Sequence, residues 1–163
     1  MSRFAGDNDL LKRYAIVRME KTHLAEALVI ERESQPNPWS RQAFVYEIDG
    51  NPLSRPRVAV TITQPSEVAG YAITWLVLDQ LHIQNLAVRR RDRHQGLAKL
   101  LLVRAIEEAV EHSASTALLE VRRSNVAARN LYRSLGFEEF GERRGYYTRP
   151  AEDALLYRKD LRR

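Results

Sequence analysis

The sequence predicts an α/β layer fold built on a mixed sheet, in the order β-α-α-β-β-β-α-β-α-β-β. Three observations carry this. The middle of the chain holds three runs rich in β-branched and apolar residues, parted by short turn signals. A long stretch with one broad apolar helical face follows them. A buried strand, a capped helix and two more strands then complete the alternation.

Taken in order, Tyr14–Met19 (YAIVRM) is a short β-rich run. Thr22 is placed to cap a helix whose Leu24, Ala25, Leu28, Val29 and Ile30 form an apolar stripe. Pro36-Asn37-Pro38 stops that helix. Ser40 is placed to cap a second helix, with Phe44, Val45 and Ile48 inward and Asp49-Gly50 at its end. Strands are expected at Val58–Thr63, Val68–Leu78 and Leu81–Val88, parted by Gln64-Pro65-Ser66 and Asp79-Gln80. Connections this short favour an antiparallel meander. From about His94 to His112 a helix buries Leu97, Leu100, Leu101, Val103, Ile106 and Val110 and turns Arg104, Glu107, Glu108 and Glu111 outward. Ala117–Val121 reads as a buried strand. Ser124 or Asn125 caps a further helix ending at Gly136. Phe137–Leu161 reads as two strands joined around Pro150. Residues 1–13 are expected to form a flexible tail and residues 14–163 a single domain.

Composition narrows the function classes. A chain of 163 residues, 44% hydrophobic, fits one domain with a sizeable core. Cys is absent, which excludes a disulfide scaffold, a thiolate zinc site and a cysteine nucleophile. The four His residues (His23, His82, His94, His112) show no metal-ligand spacing, so no metal is expected, and no Ser/His/Asp set stands out. The formal net charge is +5 and the pI about 9.7. That balance fits ordinary solubility or a polyanionic partner: nucleic acid, an anionic membrane or a phosphate-bearing cofactor. The opening MSRFAGDNDLLKRY lacks the apolar core of a signal peptide, and no apolar stretch is long enough to span a bilayer. A soluble, cytoplasmic protein with no membrane partner is expected. A basic RNA-binding module is the competing class, but the aromatic-plus-basic stacking pattern it would need is missing.

The most informative segment joins Leu86-Ala87-Val88 to Arg89–Lys99 (RRRDRHQGLAK). A strand runs into a basic turn that opens a long helix, whose first N–H groups are free and whose dipole favours an anion. Gly96 lets an anion approach the backbone, Ala98 is nearly as small, and Arg93 adds charge. Together they suit a pyrophosphate. Neither the P-loop spacing nor the Rossmann glycine triplet is present.

Arg93-His94-Gln95-Gly96-Leu97-Ala98 resembles the R/Q-x-x-G-x-G/A motif of the GNAT acetyltransferase superfamily. Within it, the chain is most similar to the RimI-type ribosomal-protein-alanine N-acetyltransferases, from about Val17 to about Leu161. Pro38-Trp39-Ser40, Leu119-Glu120-Val121-Arg122 with Ser124-Asn125, Leu131-Tyr132, Leu135-Gly136-Phe137, Arg143-Arg144 with Tyr146-Tyr147, and Glu152-Asp153-Ala154 carry that likeness. Two departures are Ala98 for the more usual second Gly, and Arg89-Arg90-Arg91 for a short turn that usually contains Pro. The resemblance implies a GNAT fold, with a mixed, mostly antiparallel sheet and helices on both faces. It implies acetyl-coenzyme A as cosubstrate, bound by Leu86, Ala87, Val88, Arg93, His94, Gln95, Gly96, Leu97, Ala98, Lys99 and Asn125. The triple Arg is expected to add contacts to the cofactor's 3′-phosphate. The acceptor implied is a protein N-terminus, that of a ribosomal protein (small-subunit protein eighteen), with no direct nucleic-acid binding required; other protein N-termini, lysine side chains or a small amine are the alternative acceptors, and an acyl-coenzyme A sensor without turnover is the alternative to catalysis.

Acetyl transfer to an amine needs a neutral nucleophile, a stabilised oxyanion and a proton for the departing thiolate. An α-amine titrates near roughly 7.7–8.0, so a general base raises the reactive fraction at neutral pH. Glu120 interrupts an apolar strand run, where a carboxylate is expected to be partly desolvated. By itself that pattern equally describes a solvent-facing strand residue; the resemblance places Glu120 on the base. Tyr132 shares a helix face with Ala128 and Leu135 and by itself reads as a core aromatic. The resemblance places it on the proton donor, a phenol of about 10 set against a thiol of about 8.5. Asn125 reads as an N-cap and, by resemblance, as a cofactor contact. A backbone N–H of Leu86–Val88 is expected to serve the oxyanion. Trp39 and Tyr147 are candidates for the wall of the acceptor site.

Overall fold

The computed structural model describes residues 7–162. One seven-stranded sheet organises them, in the spatial order β1-β2-β3-β4-β5-β7-β6. Its strands are β1 (Tyr14–Arg18), β2 (Ser54–Thr61), β3 (Val68–Val77), β4 (Gln80–Val88), β5 (Thr116–Arg122), β6 (Glu138–Thr148) and β7 (Ala151–Asp160). Every neighbouring pair is antiparallel except β4 and β5. The expected element order, the meander and the mixed sheet are all present.

The helices are α1 (Asp7–Leu11), α2 (Leu24–Ser34), α3 (Arg41–Val45), α4 (Leu97–Glu111) and α5 (Val126–Ser134). They cover both faces. Strand alternation divides β3 between two cores. Tyr71 and Ile73 pack with Leu24, Leu28 and Phe44 from α2 and α3. Ala72 packs on the opposite side with Leu100 and Leu101 of α4 and Leu10 of α1. A third cluster joins Leu119, Leu155 and Tyr157 to Tyr132 of α5 and Leu102 of α4.

Several boundaries differ from the sequence reading. Of the expected tail, residues 1–6 lie outside the described residues. Asp7–Leu11 is a single helical turn, and its Leu10 is buried at 5% exposure, so the ordered domain begins before Tyr14. Thr22 does not cap α2; a 3₁₀ turn over Lys21–His23 precedes it, closed by a reciprocal capping box between Glu20 and His23. Ser40 does cap α3, accepting from the Ala43 N–H at 3.1 Å, and α3 widens into a π turn over Tyr46–Gly50. β2 starts at Ser54, ahead of the expected Val58, because Arg55, Pro56 and Arg57 pair with β3 despite the two charges and the proline. The long helix begins at Leu97 rather than His94. The intervening residues turn the chain, with His94 at φ 61° and Gly96 at φ 93°.

Candidate active site

The sheet opens between β4 and β5. β4 and β5 are paired side by side from Gln80/Thr116 only as far as Ile83/Leu119. Beyond that point β4 runs on to Val88 and β5 to Arg122 with no ladder between them. The backbone edge of β4 is therefore left without a strand partner. Its orientation follows from alternation along an antiparallel pair. The Arg89 N–H donates to the Ala69 carbonyl, which turns residues 87 and 85 toward β3 as well. Leu86 and Val88 consequently direct their N–H groups into the gap. Ala87, expected among the donors, faces β3; its carbonyl lies only 2.8 Å from where a Cβ on Gly70 would stand.

A cavity of about 580 Å³ fills the gap, a volume suited to a sizeable ligand. Glu120, Tyr132, Asn125, Trp39, Tyr147 and Leu86 all line it. Residues from both helix–strand layers and the C-terminal strands thus converge there, although they span more than half the sequence. Glu120 is more open than its apolar flanks suggested, its side chain being 35% exposed. One of its oxygens lies 3.6 Å from Arg143 Nη1, and the other accepts from the Tyr146 hydroxyl at 3.3 Å. Neither Arg143 nor Tyr146 stood out in the sequence as a partner for Glu120. Tyr132 is buried by Phe137 and Tyr157, with ring centroids at 5.9 Å and 6.4 Å. Its hydroxyl has no hydrogen-bond partner among the described residues. Burial, aided by the neighbouring Tyr147, pushes its pKa well above the usual phenol value. Asn125 caps α5 through its side-chain oxygen, which accepts from Ala128 N–H at 3.1 Å; its amide NH₂ has no partner among the described residues. Trp39 rests against Phe44, and Tyr147 lies under the Arg122 guanidinium at 4.1 Å. Burial, then Glu120, raises the Tyr147 hydroxyl to about 12.

The basic turn does not line this cavity but continues from the open edge of β4. The backbone N–H groups of His94, Gln95, Gly96, Leu97 and Ala98 have no acceptor among the described residues; the first helical bond into the turn is Leu100 N–H to Gly96 carbonyl at 3.0 Å. Free amides clustered at a helix start can bind an anion. Gly96 is required for its left-handed φ, and a Cβ added there would stand 3.6 Å from Leu10 Cδ1. Arg93 is not held out as a free charge. Its Nε donates to the Val88 carbonyl and its Nη2 to Ser34 Oγ, both at 2.9 Å. Of the triple Arg, Arg89 is bound to Asp92 and Glu67, and Arg91 to Glu67, while Arg90 alone is exposed and unpaired among the described residues.

The turn is propped from below by Asp92, which accepts from Tyr14 Oη and Arg89 Nε, both at 2.6 Å. Burial raises the Asp92 carboxyl, but the bonds from Arg89 and Tyr14 and the nearby guanidinium charges outweigh it and hold the pKa below the usual range. A depressed folded value stabilises the protein above the unfolded pKa, about 3.9, and that contribution is lost as pH falls toward the folded value. Asp92→Asn is therefore expected to cost about 1.5–3 kcal/mol at pH 7, the range for hydrogen bonds to a charged group. The gap between the variant and the parent should shrink below about pH 4. Urea midpoints at pH 7 and pH 3 check it.

One cavity-lining group escaped the sequence reading. Glu31, on α2, is fully buried at 0% exposure. Its Oε1 accepts from the Trp39 N–H at 3.0 Å; its Oε2 accepts from Asn85 Nδ2 at 2.8 Å and from the Tyr71 hydroxyl. Gln35 Nε2 extends the network to Asn85 Oδ1 at 3.0 Å and the Leu86 carbonyl at 3.4 Å.

Known proteins share this architecture. Residues 24–137 match the acetyltransferase (GNAT) family. A ribosomal protein bS18-alanine N-acetyltransferase of Escherichia coli K12 is 38% identical over 143 residues, covering 86% of this chain and 93% of that one. The crystal structure of the ribosomal-protein-S18-alanine N-acetyltransferase from Escherichia coli superposes with a TM-score of 0.81 at 36% identity, covering 92% of this chain and 95% of that one. Arabidopsis thaliana NAA60 in complex with acetyl-CoA shares the fold at 18% identity and a TM-score of 0.81, over 90% of this chain and 98% of that one. With a family match over residues 24–137, most of its length, this chain belongs to the GNAT acetyltransferase family.

Proposed function

We propose that the chain transfers an acetyl group from acetyl-coenzyme A to the N-terminal α-amine of a protein, and that its acceptor in the cytoplasm is the N-terminal alanine of ribosomal protein bS18. The supporting observation is the unpaired edge of β4, which faces Glu120 across the cavity and leads straight into the open amides of the turn. Such an edge fits the amide-bearing arm of coenzyme A, and free N–H groups at a helix start fit its diphosphate. Among the described residues no group of side chains could hold a metal ion, and none of the helices is long and apolar enough to cross a membrane.

Acetyl-coenzyme A supplies an acyl carbon activated as a thioester. The chain's residues do the rest. Glu120 takes the proton from the incoming amine, directly or through one water. It parts for this from Tyr146 and Arg143, whose contacts are long and solvent-facing. The Leu86 and Val88 N–H groups meet the negative charge developing on the acyl oxygen. Tyr132, kept protonated by burial, donates a hydrogen bond to the departing sulfur. With its pKa this high, full proton transfer is more uphill than an ordinary phenol would make it, so stabilising the anion comes first. Asn125 offers its free amide NH₂ to the cofactor arm, and Trp39 and Tyr147 bound the slot for the acceptor.

The test is an acetylation panel with purified protein: peptides with free N-terminal alanine, the same peptides blocked at the α-amine but bearing lysine, and a polyamine. Only the free N-termini are expected to turn over, and a bS18-derived peptide is expected to show the highest kcat/KM. Acetylation of lysine or the polyamine alone would overturn the acceptor assignment. RNA binding without turnover would overturn the enzyme reading.

A further inference from the structure

Glu31 sits where two walls of the cavity meet. Its two oxygens are divided between them: one holds the backbone of the loop that carries Trp39, the other holds Asn85 on β4 and Tyr71 on β3. Three donors use most of a carboxylate's acceptor capacity, so Glu31 has little left to offer a substrate proton. No cation pairs with it among the described residues. A carboxylate buried among neutral donors is expensive unless every bond to it is kept. Burial, reinforced by Glu31 itself, raises the Tyr71 hydroxyl far above its ordinary pKa, which keeps it a donor across the working pH range.

The two walls depend on this anchor unequally. β4 is held independently by its ladder with β3 along most of its length. Among the described residues Asn37 and Pro38 make no backbone hydrogen bond to the sheet, and the loop is tied to the rest of the fold through the Trp39 N–H bond to Glu31 and the Trp39–Phe44 ring contact, with Gln35 at its start. We propose that Glu31 is a positioning residue that sets the Trp39 loop at a fixed separation from the open edge of β4, and thereby governs binding of the acceptor rather than of acetyl-coenzyme A. This rests on the acetyl-transfer reading of the cavity.

Steady-state kinetics with an N-terminal alanine peptide, alongside calorimetric titration with coenzyme A, test it. Glu31→Gln is expected to raise the acceptor KM about tenfold or more, with the coenzyme A Kd within about twofold of the parent. Tyr71→Phe keeps the ring packing and removes one of the three bonds, so it serves as the milder variant should Glu31→Gln unfold. Its acceptor KM is expected to rise about two- to fivefold, again with Kd unchanged. Placed in a Trp75→Phe background, where Trp39 is the remaining tryptophan, Glu31→Gln should also red-shift the emission as the loop loosens. The proposal is overturned if KM is unchanged in a folded variant, or if coenzyme A affinity falls in step with it. An unmodified protein that acetylates no peptide would instead remove the reading beneath it, so the two failures are separable.

Discussion

Glu120→Gln is expected to lower kcat by about 10²–10⁴-fold at pH 7, the usual range for a lost general base. The substitution is nearly isosteric, and its neighbours can tolerate it: Tyr146 still finds an oxygen at 3.3 Å, and Arg143, at 3.6 Å, stays solvated. Coenzyme A binding should therefore be unaffected, because the open edge of β4 lies across the cavity from Glu120 and the turn lies outside it. The pH profile gives a sharper reading. An α-amine titrating near roughly 7.7–8.0 is largely ammonium at pH 7 and largely neutral at pH 9. If part of the Glu120 contribution is removal of that proton, the deficit of the variant narrows as pH rises through this range. A deficit that stays constant with pH would assign Glu120 to placing the amine. A simultaneous loss of coenzyme A affinity would show that the cavity had been disturbed as a whole.

How much of this could be read from the sequence depends on whether a signal was local. The meander was legible because its turns are short and its strands rich in β-branched residues, and Asn125 was legible because an N-cap acts on its own next turn. The buried face of α2 differs from the apolar stripe its sequence suggests. Val29 is 51% exposed, whereas Glu31 occupies the buried face beside Ala27 and Leu28. Spacing alone contained the clue, since Glu31 follows Leu28 by three positions and Ala27 by four. A charge on that face asks for partners, but Asn85 and Tyr71 are far away in sequence, and nothing local points to them. Arg93 and the Arg89–Arg91 run show the opposite difficulty. Their charge was obvious, yet its destination was set by Val88, Ser34, Asp92 and Glu67, which only the folded chain brings near. The gap between β4 and β5 is a property of pairing, and individual residues carry no mark of it.

The turn provides the second large effect. Gly96→Val is expected to weaken coenzyme A binding by up to about 100-fold while leaving the rest of the fold intact. At φ 93° a β-branched residue is strained by about 1–3 kcal/mol. The new Cβ itself has room: it would sit 3.6 Å from Leu10 Cδ1, an ordinary contact. The free protein can relieve the strain by relaxing the turn, since few bonds hold these amides. The bound protein cannot, because the N–H groups of residues 94–98 must point together at the anion. The strain is then charged to binding, at tenfold per 1.4 kcal/mol. Two explanations for the glycine are separable by substitution. If Gly96 served to admit the anion past a missing side chain, Gly96→Ala would be as damaging as Gly96→Val. If φ is the reason, Gly96→Asn, a residue more at home in the left-handed region, should retain most of the affinity despite its greater bulk. Calorimetric titration of the three variants with coenzyme A decides between them, and a Gly96→Asn protein as weak as Gly96→Val would refute the conformational account.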